Sequence, residues 1–289
     1  MRKIKSGIYG LNLLLDGGIN EKSTTVVIGG SGAGKTTFAL QYIIHGLQRG
    51  QDGIFISLDE NHEQIVKEAV EMGWTEINEY IKSDKLVFID ASGREFSTFI
   101  KKELPAFVSD WKGANARIVI DPLTPVMWSV KDPYEQRELI GFCLKEIRKI
   151  GTVVATIEEH GVSSKLSCPE IVIPMYLADS IIHLDYNPLT SPVTRLLRVI
   201  KCRNSRHAEG AFPYRIIKGL GIVVHHQGLF TKHDAHVPQT LSRTLASTKK
   251  LPQNVLSKLE KILSELDDRD FREIDSANVI EDIIKEYEP

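Results

Sequence analysis

Short apolar runs alternate with helix-period stretches over the first part of the chain. Residues 24–28, 54–58, 86–90, 117–121 and 152–157 are apolar runs of strand length, the pattern of strands covered on both faces. Between the first two, Phe38, Ala39, Tyr42, Ile43 and Leu47 recur at helical spacing until Gly50 ends the run. Asn61, with Gln64 three residues on, approximates a capping box for a helix over 65–72 that Gly73 terminates. Asp132, Pro133 and Glu135 supply an N-cap, a first helical residue and a capping partner to a longer helix. Its Leu139, Cys143, Leu144, Ile147 and Ile150 face a core, and Gly151 is its stop. Such alternation predicts an α/β fold, a mainly parallel sheet with helices on both faces. After Ala178 the rhythm changes. Strands over 181–184, 195–201, 212–217 and 222–225, with turns such as Lys218-Gly219-Leu220-Gly221 between some of them, predict antiparallel additions to that sheet.

Beyond the last of these strands the composition shifts. Residues 231–250 are polar, with Thr240, Ser242, Thr244, Ser247 and Thr248, and read as a linker between a domain over 1–230 and an extension over 251–289. In the extension Val255, Leu256, Leu259, Ile262, Leu263 and Leu266 form one apolar helical stripe. Val279, Ile280, Ile283 and Ile284 form a second, with the acidic cluster Glu265, Asp267, Asp268 and Asp270 between them. Each stripe must bury somewhere: on the chain's own domain, on a neighbour's, or on a protein partner.

The chain of 289 residues carries 36 Lys and Arg against 38 Asp and Glu, a formal net charge of −2. Near-neutrality argues against a strongly basic nucleic-acid binder. The length suits one large domain with a sizeable core and an appendage. Cys143, Cys168 and Cys202 are odd in number and not spaced as metal pairs, which predicts reduced thiols in a cytoplasmic setting, with Cys143 in a helix core. No apolar run approaches a membrane span, so no membrane insertion is expected. Met1-Arg2-Lys3 leads into Ile4 without the apolar stretch of a signal peptide.

The densest chemistry lies between the first strand and the first helix. Gly29, Gly30, Ser31, Gly32, Ala33, Gly34, Lys35, Thr36 and Thr37 fit the phosphate-binding pattern G-x-x-x-x-G-K-[ST]. Glycines let successive backbone N–H groups turn inward around an anion at a helix N-terminus, where unpaired amides and the dipole favour negative charge. Lys35 would meet the β- and γ-phosphates of ATP, and the Thr36 hydroxyl would coordinate Mg²⁺. A dinucleotide fingerprint begun at Gly30 would require glycine where Lys35 stands.

Two further elements belong to strand tips. Arg117-Ile-Val-Ile-Asp121 is a buried strand ending in a carboxylate, the arrangement that holds Mg²⁺ beside such a loop. Asp59 and Glu60 follow the second strand, where paired carboxylates can polarise an attacking water; the same residues also suit a solvated loop and helix cap. Lys201 and Arg203 sit two apart and so project from one face of a strand; with Arg206 they also suit a solvated basic face. Thr156, Glu158 and Glu159 stand at the tip of the fifth strand and receive no role, because a carboxylate beside a phosphate is repulsive unless a cation intervenes.

Several segments occur together in order: Ser6-Gly7-Ile8-Tyr9-Gly10-Leu11-Asn12-Leu13-Leu14, Asp16-Gly17-Gly18-Ile19, the phosphate loop, and Ser57-Leu58-Asp59-Glu60. They continue with Ile120-Asp121-Pro122-Leu123-Thr124, Leu177-Ala178-Asp179-Ser180 and Ile200-Lys201-Cys202-Arg203-Asn204-Ser205-Arg206-His207. The set resembles the KaiC branch of the recA-like ATPases, in a single-domain form. The resemblance implies a recA-type core that assembles into a ring, commonly a hexamer, with ATP bound between subunits. It implies that the carboxylates after the second strand act on the lytic water. The family has paired glutamates there, so the shorter Asp59 weakens that position and makes Glu60 the better candidate. It implies that Lys201 and Arg203 reach the γ-phosphate of the adjacent subunit.

Related recombinases contact DNA through loops that correspond to residues 124–132 and 160–176. Lys131 and Lys165 are the formal cations there, fewer than a groove neutralising several phosphates requires, although Trp128 could stack on a base. The leading expectation is a slow ATPase whose nucleotide state governs assembly or a partner. An autokinase using the Ser/Thr-rich linker, and a nucleotide-dependent scaffold like the archaellum accessory proteins, are the alternatives, with a DNA-associated recombinase paralogue behind them.

Overall fold

The computed structural model describes residues 2–160, 166, 168–187, 194–225, 255–257, 259 and 276–287. Lys3–Ile4 (β1) and Ile19–Asn20 (β2) pair as a small antiparallel ribbon. The main sheet has nine strands: Thr24–Gly29 (β3), Gly53–Ser57 (β4), Leu86–Asp90 (β5), Ala116–Asp121 (β6), Gly151–Glu158 (β7), Ser180–Asn187 (β8), Thr194–Cys202 (β9), Phe212–Ile217 (β10) and Gly221–Val224 (β11). Their order across the sheet is β11-β10-β9-β8-β3-β7-β6-β4-β5. The block from β8 to β5 is parallel, and β9, β10 and β11 are added antiparallel, as the change of rhythm after Ala178 predicts.

The helices are Leu11–Leu14 (α1), Lys35–Gln48 (α2), His62–Glu71 (α3), Ile77–Lys82 (α4), Gly93–Lys102 (α5), Leu104–Asp110 (α6), Thr124–Trp128 (α7), Pro133–Ile147 (α8), Pro169–Leu177 (α9) and Ser276–Tyr287 (α10). Because successive strand residues point to opposite faces, the parallel strands feed two cores. Val27, Phe55, Val119 and Val154 pack with α2 and α3 on one face, whereas Val26, Ile28, Ile54, Ile56, Ile118 and Ile120 pack with α5 and α8 on the other.

Local signals set most helix ends. Asp132 accepts from the backbone N–H groups of Tyr134 and Glu135, as an N-cap should. Asn61 accepts from the Gln64 N–H, but the Gln64 side chain turns to Glu68, so this is an N-cap without the reciprocal half of a box. Among the described residues a complete capping box is formed by Ser92 with Glu95, at the start of α5. Gly151 does not stop α8, which ends at Ile147; it opens β7, where a Cβ would lie 2.0 Å from the Ala116 carbonyl oxygen.

The second C-terminal stripe buries on the chain's own domain. Val279 and Ile283 of α10 pack with Tyr9, Ile217, Leu220, Val223 and Leu259. Glu286 is buried and accepts from the Gly7 N–H at 3.1 Å and from the Asn12 amide, while Arg49, the residue after α2, donates to its carbonyl oxygen at 3.1 Å. Residues 231–250, and Ile262, Leu263 and Leu266 of the first stripe, lie outside the described residues. Among the described residues no helix is long and apolar enough to cross a membrane.

Candidate nucleotide site

The loop from Gly29 to Gly34 joins the end of β3, in the middle of the sheet, to the first turn of α2. Gly34 is the N-cap of α2 with φ 93°, a left-handed conformation that a side chain disfavours, and a Cβ there would meet Ile216 at 2.6 Å. At Gly29 a Cβ would lie 2.8 Å from the Leu184 carbonyl oxygen of β8. Gly30 meets nothing comparable. Ala33 is buried and its carbonyl oxygen accepts from the Tyr214 hydroxyl at 2.6 Å, which ties the loop to β10. Ser31 is exposed and Thr37 half-buried.

Lys35 folds back over the loop and donates to the Gly30 carbonyl oxygen at 3.0 Å. Burial lowers its pKa from the ordinary lysine value, while the negative charges of Asp121, Glu158 and Glu159 oppose that shift. Asp121 ends β6 and is 6% exposed. Its carboxyl is raised by burial, against hydrogen bonds from the Thr156 and Thr36 hydroxyls and the charge of Lys35. Thr36 and Lys35 thus lie close enough to Asp121 to act on its carboxyl. Thr156 of β7 supplies the hydroxyl that fixes the Asp121 carboxylate.

Asp59 and Glu60 lie exposed beyond β4, the strand beside β6. The Glu60 carboxyl is raised by burial first, then by the negative charges of Glu68, Asp121 and Asp59. The Ser57 hydroxyl donates to the Glu60 carbonyl oxygen and so holds the loop. On its far side His62 meets Asp90 of β5 at 2.5 Å.

Lys201 and Arg203 do not join this group within one chain. Cys202 pairs with Ser180, which pairs with Thr25, at the start of β3. The phosphate loop begins four residues further along β3, about 13 Å away at the usual strand rise. Lys201 donates to the carbonyl oxygens of Met175 and Ala178 at 2.8 and 2.7 Å, and Arg203 to that of Tyr176 at 2.9 Å. Both therefore sit at the C-terminal end of α9, where cations are favoured.

Some residues beside the loop escape a reading of the sequence. Tyr186 and Arg195 face each other across β8 and β9. The Arg195 guanidinium lies 4.2 Å from the Tyr186 ring centroid and donates to the Gly32 carbonyl oxygen at 3.3 Å. A hairpin tyrosine and arginine carry no signal until the strand register is known. Trp128 is 55% exposed and stacks on His160, and Lys165 lies outside the described residues.

Against known proteins, residues 4–229 match the family model described as the KaiC ATPase. A circadian clock protein of Synechocystis, KaiC3, is 28% identical over 236 residues, which cover 78% of this chain and 46% of that protein. The chain thus spans about half the length of that clock protein. A UPF0273 protein of Thermotoga maritima is 29% identical over 243 residues, covering 78% of this chain and 96% of the relative. Among solved structures, a KaiC-like protein from the hyperthermophilic archaeon Pyrococcus horikoshii matches with a TM-score of 0.63 and 30% identity, covering 78% of this chain and 99% of that one. The recA-like core expected from the sequence is therefore the fold observed. The chain belongs to the KaiC ATPase family.

Proposed function

We propose that the protein binds Mg-ATP in the loop between β3 and α2 and hydrolyses it slowly, at sites shared between adjacent subunits of a cytoplasmic homo-oligomeric ring, a hexamer by the family pattern. The observation that carries this reading is the meeting of Thr36, Lys35 and Asp121 at the mouth of one loop. The backbone of Gly29 to Thr37 would take the phosphates, and Lys35 would leave the Gly30 carbonyl for the β- and γ-phosphates.

The residues fit Mg²⁺. A hydroxyl and a carboxylate are hard oxygen donors, and Mg²⁺ commonly takes one or two protein ligands and completes its octahedron with water and phosphate. Among the described residues no cluster of three or more His, Cys, Asp or Glu offers an all-protein cage instead. The ion would neutralise charge on the phosphates. Glu60 orients and deprotonates the lytic water, with Asp59 a secondary contributor.

Lys201 and Arg203 supply cations to the γ-phosphate of the next subunit, where charge develops during transfer. Their place beside the start of β3, at the opposite end of the strands from their own loop, supports this reading over one within a single chain. Nucleotide state would then govern assembly and, through it, a partner protein; the buried stripe of α10 is no longer offered to such a partner.

Incubation with γ-labelled ATP, following free and protein-bound label separately, tests the assignment. The proposal predicts release of free phosphate by the assembled protein. Protein-bound label would instead favour an autokinase, and binding with neither product would favour a scaffold.

A further inference from the structure

From Asp59 to Gln64 every residue is exposed, so apolar packing does not fix the turn that carries Glu60. Hydrogen bonds to three neighbouring strands fix it instead. At its entry the Leu58 N–H donates to the carbonyl oxygen of Asp121, the last residue of β6, at 3.0 Å. In its middle the Ser57 hydroxyl of β4 donates to the Glu60 carbonyl oxygen. At its exit a single oxygen of Asp90, Oδ2, accepts from the His62 N–H at 3.2 Å and meets Nδ1 of the His62 ring at 2.5 Å.

The middle and exit bonds share one support. Ser57 and Asp90 are register partners across β4 and β5, and the Ala91 N–H donates to the Ser57 carbonyl oxygen at 3.0 Å. A carboxylate only accepts, so Nδ1 of His62 carries the proton and the ring is oriented by Asp90. Phe88 of β5 backs that ring at 5.9 Å between centroids and itself stacks on Phe55. Helix capping does not account for the pair by itself, because α3 already has an N-cap in Asn61. Nor does stability, since an ion pair between exposed side chains contributes little. What the pair does fix is the path of the backbone two residues beyond Glu60.

We propose that His62 and Asp90 are positioning residues for the hydrolytic step, holding the exposed turn so that the Glu60 carboxylate meets the water that attacks the γ-phosphate. The inference rests on the reading of Glu60 as the base. The pair acts through Glu60 and not on the reacting atoms, so it should affect the rate at saturating nucleotide and not the affinity.

The test is single-turnover phosphate release from Mg-ATP by the assembled full-length protein, with equilibrium binding measured in parallel. His62→Ala and Asp90→Ala are each expected to slow release by about ten- to a hundredfold with affinity unchanged. His62→Asn, which returns an N–H close to the place of Nδ1, should restore most of the rate. In a Glu60→Gln background, where nothing is left to position, His62→Ala should cost less than about twofold more. A merely structural role would be felt equally in both backgrounds. The inference is overturned by a folded His62→Ala protein that is as fast as wild type, by a loss repeated in full in the Glu60→Gln background, or by a change confined to affinity. In those cases the slow turnover of Glu60→Gln leaves the reading of Glu60 standing. A wild type that releases no phosphate, or a Glu60→Gln protein as fast as wild type, overturns that reading and this inference with it. If Asp90→Ala does not fold, His62→Ala and its His62→Asn rescue decide.

Discussion

The Lys201 ammonium lies 2.7 Å from the carbonyl oxygen of Ala178, just past the last turn of α9 and at the opposite end of the strands from the phosphate loop. In the proposed site Lys201 and Arg203 would therefore serve a neighbouring chain's loop, while Glu60 would serve its own. The groups that would hold ATP belong to one chain, and the cations that would meet its transition state come from another.

Arg203→Ala is therefore expected to lower phosphate release by roughly a thousandfold while changing ATP affinity little. Parallel measurements of turnover and equilibrium binding check this. Comparable losses in both would mean that Arg203 acts on binding or assembly.

Glu60→Gln should keep ATP binding and lower turnover by about 10²–10⁴-fold, trapping the triphosphate. Asp59→Asn should cost less. Chromatographic analysis of nucleotide retained after incubation distinguishes the two, and a greater loss in Asp59→Asn would reverse their roles.

The pH profile follows from the raised Glu60 carboxyl. As the proposed base it would work only when deprotonated, so activity should fall as pH drops through its pKa, and the raised value should place that acid limb above the range of an unperturbed glutamate. Glu68 is the first of the charges that raise it. Glu68→Gln should move the limb to lower pH; a limb that stays in place would point to another base.

Docking of α10 should weaken as the solution becomes alkaline. Burial pushes Glu286 from an ordinary 4.5 up to about 8, against the Gly7 N–H and the charges of Lys5 and Arg117. A carboxyl raised on folding stabilises fully below its unfolded value, and that stability is lost as pH rises from 4.5 through about 8. His45, which faces Glu286 at 3.8 Å, is held well below 6.5 by burial and acts oppositely, its contribution fading as pH falls below 6.5. Hydrogen exchange of residues 276–287, corrected for intrinsic rates, should lose protection on the alkaline side in wild type. Glu286→Gln should abolish that alkaline loss alone.

The parts of this molecule with local causes were legible in its sequence. Apolar runs located the strands because both faces of a parallel sheet must be dry, and Gly34-Lys35-Thr36 announced the loop because the helix start needs those residue types. Gly151 misled, since a glycine after a helix resembles a stop, and only the Ala116 carbonyl packed against it reveals a strand contact. α5 carried its own signal, the Ser92–Glu95 capping box followed by Phe96 and Ile100 at helical spacing, whereas α4 and α6, with 6 and 7 residues, are too short to show a period. Pairings across the sheet were beyond reach. Tyr186 with Arg195, and Glu159 with His183, depend on register and strand order that no local pattern encodes.

Mixing of two defective variants tests the shared site most directly. Glu60→Gln and Arg203→Ala proteins, each purified alone and then allowed to exchange subunits, would form interfaces where an intact Glu60 faces an intact Arg203. The account predicts that phosphate release recovers in the mixed assembly well above that of either parent. Co-assembly without recovery would contradict it, because both groups would then be needed within one chain.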